Sequence, residues 1–309
     1  MNLSHRIASF ATLLLTILSM QVAAATPPQA VVADPIRDAK YPARNRQVLI
    51  FSNGMGMNAL LMQASGSGPK PTLLLLHGLP GNEQNLDLAQ AIRRAGWNVL
   101  TMHYRGSWGS PGNFSIAGAV EDAEAAMVFL RQPDNAVKYG IELRRVFIGG
   151  HSMGGFAAAR YAAAYPGTTG LVLIDAWNVG ADGKDLLAHP ETRAAFVADV
   201  DDDLGNSLAG TDSARLVAEI ERHANDWDLT SLASALALSP TLVISATYGN
   251  GGANKALADA IRAQRKGKVS SVAIDSDHAF SDHRIALSAA VISWIRRQTA
   301  GTLPKGTAQ

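Results

Sequence analysis

Gly150-His151-Ser152-Met153-Gly154 stands between the apolar run Val146-Phe147-Ile148 and a helix-forming run over 156–165. A strand, a tight turn and a helix in that order are the setting in which G-x-S-x-G becomes a nucleophile elbow. The glycines have a steric reason. The serine takes a strained backbone conformation at the turn, and a Cβ at either flanking position would collide with the neighbouring strand or helix. Ser152 is therefore expected at the C-terminal edge of a sheet. The alternative, a glycine turn with an incidental serine, is disfavoured by the strand-to-helix context.

A second motif supports the first. Pro71-Thr72-Leu73-Leu74-Leu75-Leu76 reads as a fully buried strand that runs into His77-Gly78-Leu79-Pro80-Gly81-Asn82, before an amphipathic stretch opens near Gln84. An oxyanion loop belongs there. Acyl transfer needs pre-aimed donors for the charge that develops on the carbonyl oxygen, and backbone N–H groups supply them without reorganisation. The Leu79 and Met153 amides are the candidates, Met153 being the residue after the serine at a helix N-terminus. His77, at a strand end, reads as structural.

The third element lies near the other end of the chain. A β-branched run over 269–274 leads into Asp275-Ser276-Asp277-His278-Ala279-Phe280, and a helix is predicted from near Ser281 to about Arg297. A histidine on the loop after the last strand can reach the top of the sheet, so His278 is the candidate general base. His5 falls in a leader, His103 and His151 precede or adjoin the serine, His189 and His223 fall in a helical insertion, and His283 is placed in the last helix. The order serine, acid, histidine is the one that fits.

Between these motifs the chain alternates strands and helices. Residues 26–46, with four prolines, read as an extended lead-in, and segments 47–52 and 57–63 as an antiparallel hairpin across Asn53-Gly54-Met55-Gly56. From Thr72 onward a helix is predicted over about 85–95, a strand to His103, a helix over 116–131, and then the strand before Ser152. The expected fold class is α/β, a mostly parallel central sheet with helices on both faces and ligands at the carboxyl ends of the strands. Residues 176–240 are mostly helical in pattern where only a short crossover is required, and read as a cap over the site. Within it, Leu186, Leu187, Leu204 and Leu208 are expected to build an aliphatic pocket. Asp199, Asp201, Asp202 and Asp203 read as a solvated acidic turn, since their spacing fails the calcium-loop pattern.

With these motifs in place the chain resembles the α/β-hydrolase superfamily, on the side of small esterases and of prolyl-oligopeptidase-type catalytic domains without their propeller. The resemblance covers about 47–298 and rests on His77-Gly78, Tyr104-Arg105-Gly106-Ser107-Trp108-Gly109, Gly150 to Gly154 and Asp277-His278. It implies the α/β-hydrolase fold for 47–309, and it places the Tyr104–Gly109 segment beside the active site. Tyr104 and Trp108 are thus candidate substrate contacts, and Trp177 is carried with them, although Trp177, Phe196 and Trp227 all read first as cap core. The sequence departs from the family at the acid. The stretch after the strand over 241–246, Thr247-Tyr248-Gly249-Asn250-Gly251-Gly252-Ala253-Asn254, contains no carboxylate. Asp175, at the end of Leu171-Val172-Leu173-Ile174, is the substitute one strand earlier, with Asn250 as a neutral partner and Glu83 as further alternatives. Asp277 adjoins His278 and is poorly placed to fold back on it.

Arg6, an apolar stretch over about 7–22 and Ala23-Ala24-Ala25 read as a secretory signal over 1–25, cleaved after Ala25, which predicts a periplasmic or secreted protein. Polar Thr12, Thr16, Ser19 and Gln21 interrupt that stretch and argue against a stable membrane span. The absence of cysteine excludes disulfides and a thiol nucleophile. There are 27 basic and 26 acidic side chains, and removing the leader takes away only Arg6, leaving 26 of each. So neutral a chain has no electrostatic footprint for nucleic acid. The expected protein is an exported serine hydrolase of carboxylic esters, acting on a small-molecule ester or short peptide with no cofactor and no metal. A peptidase or amidase uses the same machinery, and a non-catalytic binding protein on the same scaffold is the reading that a missing acid would favour.

Overall fold

The leucines of the third strand show how the sheet is buried on both sides. Leu73 and Leu75 enter one core cluster while Leu74 and Leu76 enter another, as the two-residue period of a strand requires. The computed structural model describes residues 26–265 and 267–300. Its strands are β1 (Arg44–Ser52), β2 (Met55–Gln63), β3 (Lys70–Leu76), β4 (Asn98–Met102), β5 (Ile141–His151), β6 (Leu171–Ile174), β7 (Thr241–Tyr248) and β8 (Val269–Asp277). They form one sheet in the order β1-β2-β4-β3-β5-β6-β7-β8, with β1–β2 and β2–β4 antiparallel and all other pairs parallel. The hairpin turn is the two residues Asn53-Gly54, shorter than the four-residue turn expected.

The helices are α1 (Gln29–Val32), α2 (Leu86–Arg94), α3 (Ile116–Arg131), α4 (Pro133–Tyr139), α5 (Met153–Ala164), α6 (Val179–Ala188), α7 (Arg193–Leu204), α8 (Ser213–Arg222), α9 (Ala233–Leu236), α10 (Gly251–Arg262) and α11 (Arg284–Ala300). Residues of α1, α2 and α11 pack on the Leu73/Leu75 face, and those of α3, α5 and α10 on the Leu74/Leu76 face. The lead-in is not wholly extended: α1 forms in it because Ala30 is buried against that first face, and β1 starts at Arg44. α11 starts at Arg284, three residues later than expected, because the chain first turns through Phe280, whose ring is buried in the same face. α4 was not foreseen.

The cap, α6 to α9, lies between β6 and β7 and is bound to the sheet domain by polar groups. Both carboxylate oxygens of Glu219 on α8 accept the first amides of α3, from Ile116 and Ala117, at 3.0 Å each. These amides have no partner within their own helix, and an acidic side chain suits the positive end of the dipole. The segment before α8 also pairs with the loop after β4, through Ala209 N–H to Gly106 C=O at 2.7 Å and Phe114 N–H to Ala209 C=O at 2.9 Å. The signal-like residues 1–25 lie outside the described residues, among which no helix is long and apolar enough to cross a membrane.

Candidate active site

β5 ends at His151, and the chain reverses into α5 with Ser152 at φ 54° and ψ −121°. This is a sparsely populated region for a residue with a side chain, at a cost of roughly 1–3 kcal/mol that the surroundings must offset. Three backbone bonds fix it: Ser152 N–H to Ile174 C=O at 3.1 Å, and Trp177 and Phe156 N–H to Ser152 C=O at 3.0 and 3.1 Å. A Cβ at Gly154 would lie 2.4 Å from the Leu76 carbonyl oxygen, and one at Gly150 would lie 2.3 Å from the Gly154 backbone. Both glycines of the motif are therefore demanded by close approach of α5 to β5 and to the end of β3.

The loop after β3 passes directly beside this turn. A Cβ at Gly78 would sit 2.9 Å from that of Ser152, so the residue before Leu79 lies against the serine that Met153 follows. Among the described residues neither amide has a hydrogen-bond partner. The loop is braced from behind: the Tyr104 hydroxyl donates to His77 C=O at 2.9 Å, the Trp108 indole to Pro80 C=O at 2.8 Å, and His77 Nδ1 to Gly78 C=O at 2.7 Å. Tyr104 is 0% exposed. That corrects its expected place as a substrate contact, because its ring packs edge-on against His77 at 4.7 Å and its only polar atom is spent on the loop. Trp108 is 41% exposed. His77 is structural, and burial lowers its pKa to about 4.

β8 and β6 deliver the other two groups. Asp175 Oδ2 lies 2.6 Å from His278 Nδ1, with the carboxylate fully buried and the imidazole 39% exposed. A carboxylate can only accept, so Nδ1 carries a proton, and the tautomer this selects in the neutral imidazole is the one with its lone pair on Nε2. The Asp175 carboxylate also accepts Ala246 N–H at 2.9 Å and Asn250 N–H at 2.8 Å. It thereby sits at the N-terminus of α10, where the dipole favours an anion. Asn250 is not on His278; its side-chain amide donates to Asp175 C=O at 3.1 Å. Glu83 faces Asn85 N–H and Arg284 instead. Asp277 accepts Ser281 N–H at 2.8 Å, which holds its pKa down and closes the turn after β8.

Three further residues of the site lie in the quoted segments, but the sequence assigns them no role. His151 Nε2 donates to the backbone carbonyl of His278 at 2.8 Å, with burial lowering the His151 pKa to about 4. Gly249 lies against both Asp175 and His278: a Cβ there would lie 2.2 Å from Asp175 Oδ2 and 3.1 Å from His278 Cα. Asn254 on α10 holds the backbone after Asp175, accepting Ala176 N–H at 3.1 Å and donating to Ala176 C=O at 2.9 Å. The expected leucine pocket does not form, because Leu186 and Leu204 are buried in the core while Leu187 is 56% exposed. Leu208 pairs its backbone with Ser107 and packs partly buried against the same core. Trp177 is partly buried, with its indole N–H on Asp182 Oδ2 at 2.6 Å. Trp227 is cap core, stacked on His223 at 4.4 Å.

An eight-stranded, mostly parallel sheet with Ser152, Asp175 and His278 following three of its parallel strands defines a hydrolase-type fold. The chain belongs to the alpha/beta hydrolase fold family, whose model matches residues 71–297. Solved structures of esterases share the architecture. A thermophilic carboxylesterase, EstE1, cloned from a metagenomic library is 20% identical with a TM-score of 0.60, over 89% of this chain and 93% of that one. An esterase from Rhizomucor miehei is 16% identical with a TM-score of 0.61, over 85% and 86%. The esterase of Pyrobaculum calidifontis is 19% identical with a TM-score of 0.57, over 84% and 87%.

Proposed function

We propose that this hydrolase cleaves carboxylic esters through an acyl-enzyme on Ser152. The observation that carries the reading is the 2.6 Å contact between His278 Nδ1 and Asp175 Oδ2 on the same sheet edge as the strained serine. In the proposed cycle Ser152 Oγ attacks the acyl carbon while His278 Nε2 takes the hydroxyl proton, and the Leu79 and Met153 amides receive the oxyanion. The imidazolium, stabilised by Asp175, returns the proton to the departing alkoxide as the ester bond breaks. Water then attacks the acyl-enzyme by the same exchange, releasing the carboxylic acid and regenerating Ser152.

The esterase neighbours favour an ester over an amide substrate. Trp108 and Trp177 point the same way: each has its indole N–H committed to a protein oxygen, which leaves apolar ring surface beside the serine turn and the oxyanion loop. Such surface suits an uncharged acyl or alcohol group better than a peptide terminus. Export is proposed from the leader-like residues 1–25, and N-terminal sequencing of exported protein should begin at or near Thr26.

The test of function uses a fluorophosphonate probe together with p-nitrophenyl esters of short acids and aminoacyl anilides. Labelling confined to Ser152 with preferential ester cleavage is expected. Preferential anilide cleavage would make the protein an amidase, and a chain that is neither labelled nor active would make the scaffold a binding protein.

A further inference from the structure

We infer that Arg284 is a positioning residue that locks the loop carrying His278 to the segment carrying the Leu79 amide, an inference that rests on the serine-hydrolase reading above. Arg284 is the first residue of α11. Its guanidinium donates from one terminal nitrogen to Ala279 C=O at 2.6 Å, the carbonyl immediately after His278. The remaining nitrogens reach across to the start of α2, where the loop after β3 ends. Nε binds Asp87 Oδ2 at 2.9 Å, and the second terminal nitrogen binds Asp87 Oδ1 and, at 3.0 Å, Asn85 Oδ1. Glu83 Oε1 stands 3.6 Å from the same nitrogen.

These acceptors are not incidental surface groups. Asn85 is 1% exposed, adopts φ 55° and is the residue immediately before α2, where the oxyanion loop ends. Two successive carbonyls of the histidine loop are thus pinned to different parts of the site, His278 C=O to His151 beside the nucleophile and Ala279 C=O to Arg284 beside the oxyanion loop. Only a planar fork can bind one carboxylate with two nitrogens while a third reaches a carbonyl; an ammonium presents a single point. Asp87 is half exposed, and ion pairs so exposed contribute little to stability. Their effect should therefore be read in geometry, where a displacement of about 1 Å costs up to about a hundredfold in rate.

The experiment compares Arg284→Ala, Arg284→Lys, Asp87→Ala and the Asp87→Ala/Arg284→Ala double variant on a p-nitrophenyl ester. Arg284→Ala should lower kcat by about ten- to a hundredfold with KM changed by less than about threefold and cooperative unfolding retained. Free guanidinium ion at millimolar concentration should restore part of that loss. Arg284→Lys should recover only part of it, Asp87→Ala should reproduce it, and the double variant should be no worse than either single. A wild-type kcat in Arg284→Ala, in a protein that Ser152→Ala silences, overturns the positioning role and leaves the serine mechanism standing. Equal loss of stability and kcat in all four variants without guanidinium rescue also overturns it. Failure of the wild-type enzyme to react at Ser152 with a fluorophosphonate would instead remove the reading beneath it.

Discussion

His151 and His278 lie with ring centres 4.5 Å apart, and the first donates its Nε2–H to the backbone carbonyl of the second at 2.8 Å. The residue next to the nucleophile thereby holds the residue proposed to activate it. His151→Ala should lower kcat by about ten- to a hundredfold through misplacement of the base. His151→Gln, which keeps a side-chain N–H donor, should lose less. Steady-state kinetics in which the two variants are equally impaired would show that the hydrogen bond does not matter.

Ser152→Ala and His278→Ala should each lower turnover by about three to six orders of magnitude in a protein that still unfolds cooperatively. Because the groups act as a unit, the double variant should be little worse than either single. Losses that simply add would assign the residues to separate functions.

Asp175→Asn should cost about four orders of magnitude in kcat, since an amide facing Nδ1 favours the wrong tautomer and no longer stabilises the imidazolium. Asn250→Ala retains the backbone N–H on the carboxylate and loses one bond to Asp175 C=O. It should cost about 0.5–1.5 kcal/mol of stability and little activity. The pair is read by comparing urea unfolding with kcat, and a larger kcat loss in Asn250→Ala would reverse the two roles.

Gly249→Ala is expected to inactivate without unfolding. Its methyl group would lie 2.2 Å from Asp175 Oδ2, so the acid and the base must separate or the loop after β7 must move. A crystal structure of the variant should show a lengthened contact between Asp175 and His278. Full activity would mean that the loop yields freely.

Stability should fall on acidification above pH 4. Burial depresses His77 and His151 from 6.5 to about 4 in the folded chain. Between those values the unfolded chain binds a proton at each histidine that the folded chain does not, so the contribution is fully present above about pH 6.5 and is lost as pH falls toward 4. The slope is at most about 1.4 kcal/mol per pH unit for each histidine. Urea unfolding between pH 7 and pH 4.5 measures it, and His77→Gln with His151→Gln should flatten the curve. A wild-type curve that is already flat would show that both histidines charge in place.

Local pattern alone determined much of this protein. The unbroken leucine run of β3, the strand-to-helix context of Ser152 and the bounds of α3 are written in neighbouring residues, because strand pleat, turn sterics and helix capping act over a few positions. The groups that meet across the chain were decided only by tertiary structure. Asp175 and His278 are 103 residues apart, and the sequence left Asp175, Asn250 and Glu83 all open as partners. The turn after β7 brings Gly249 against Asp175 and the Asn250 amide onto its carboxylate, while Arg284 and Asn85 engage Glu83. The direction a side chain faces was equally hidden: Tyr104 turned inward to brace a loop, and Leu186 and Leu187, adjacent in sequence, went to opposite sides of one helix wall. A periodic pattern states that a residue has a partner; only packing of distant segments, through the space each leaves for the other, states which one.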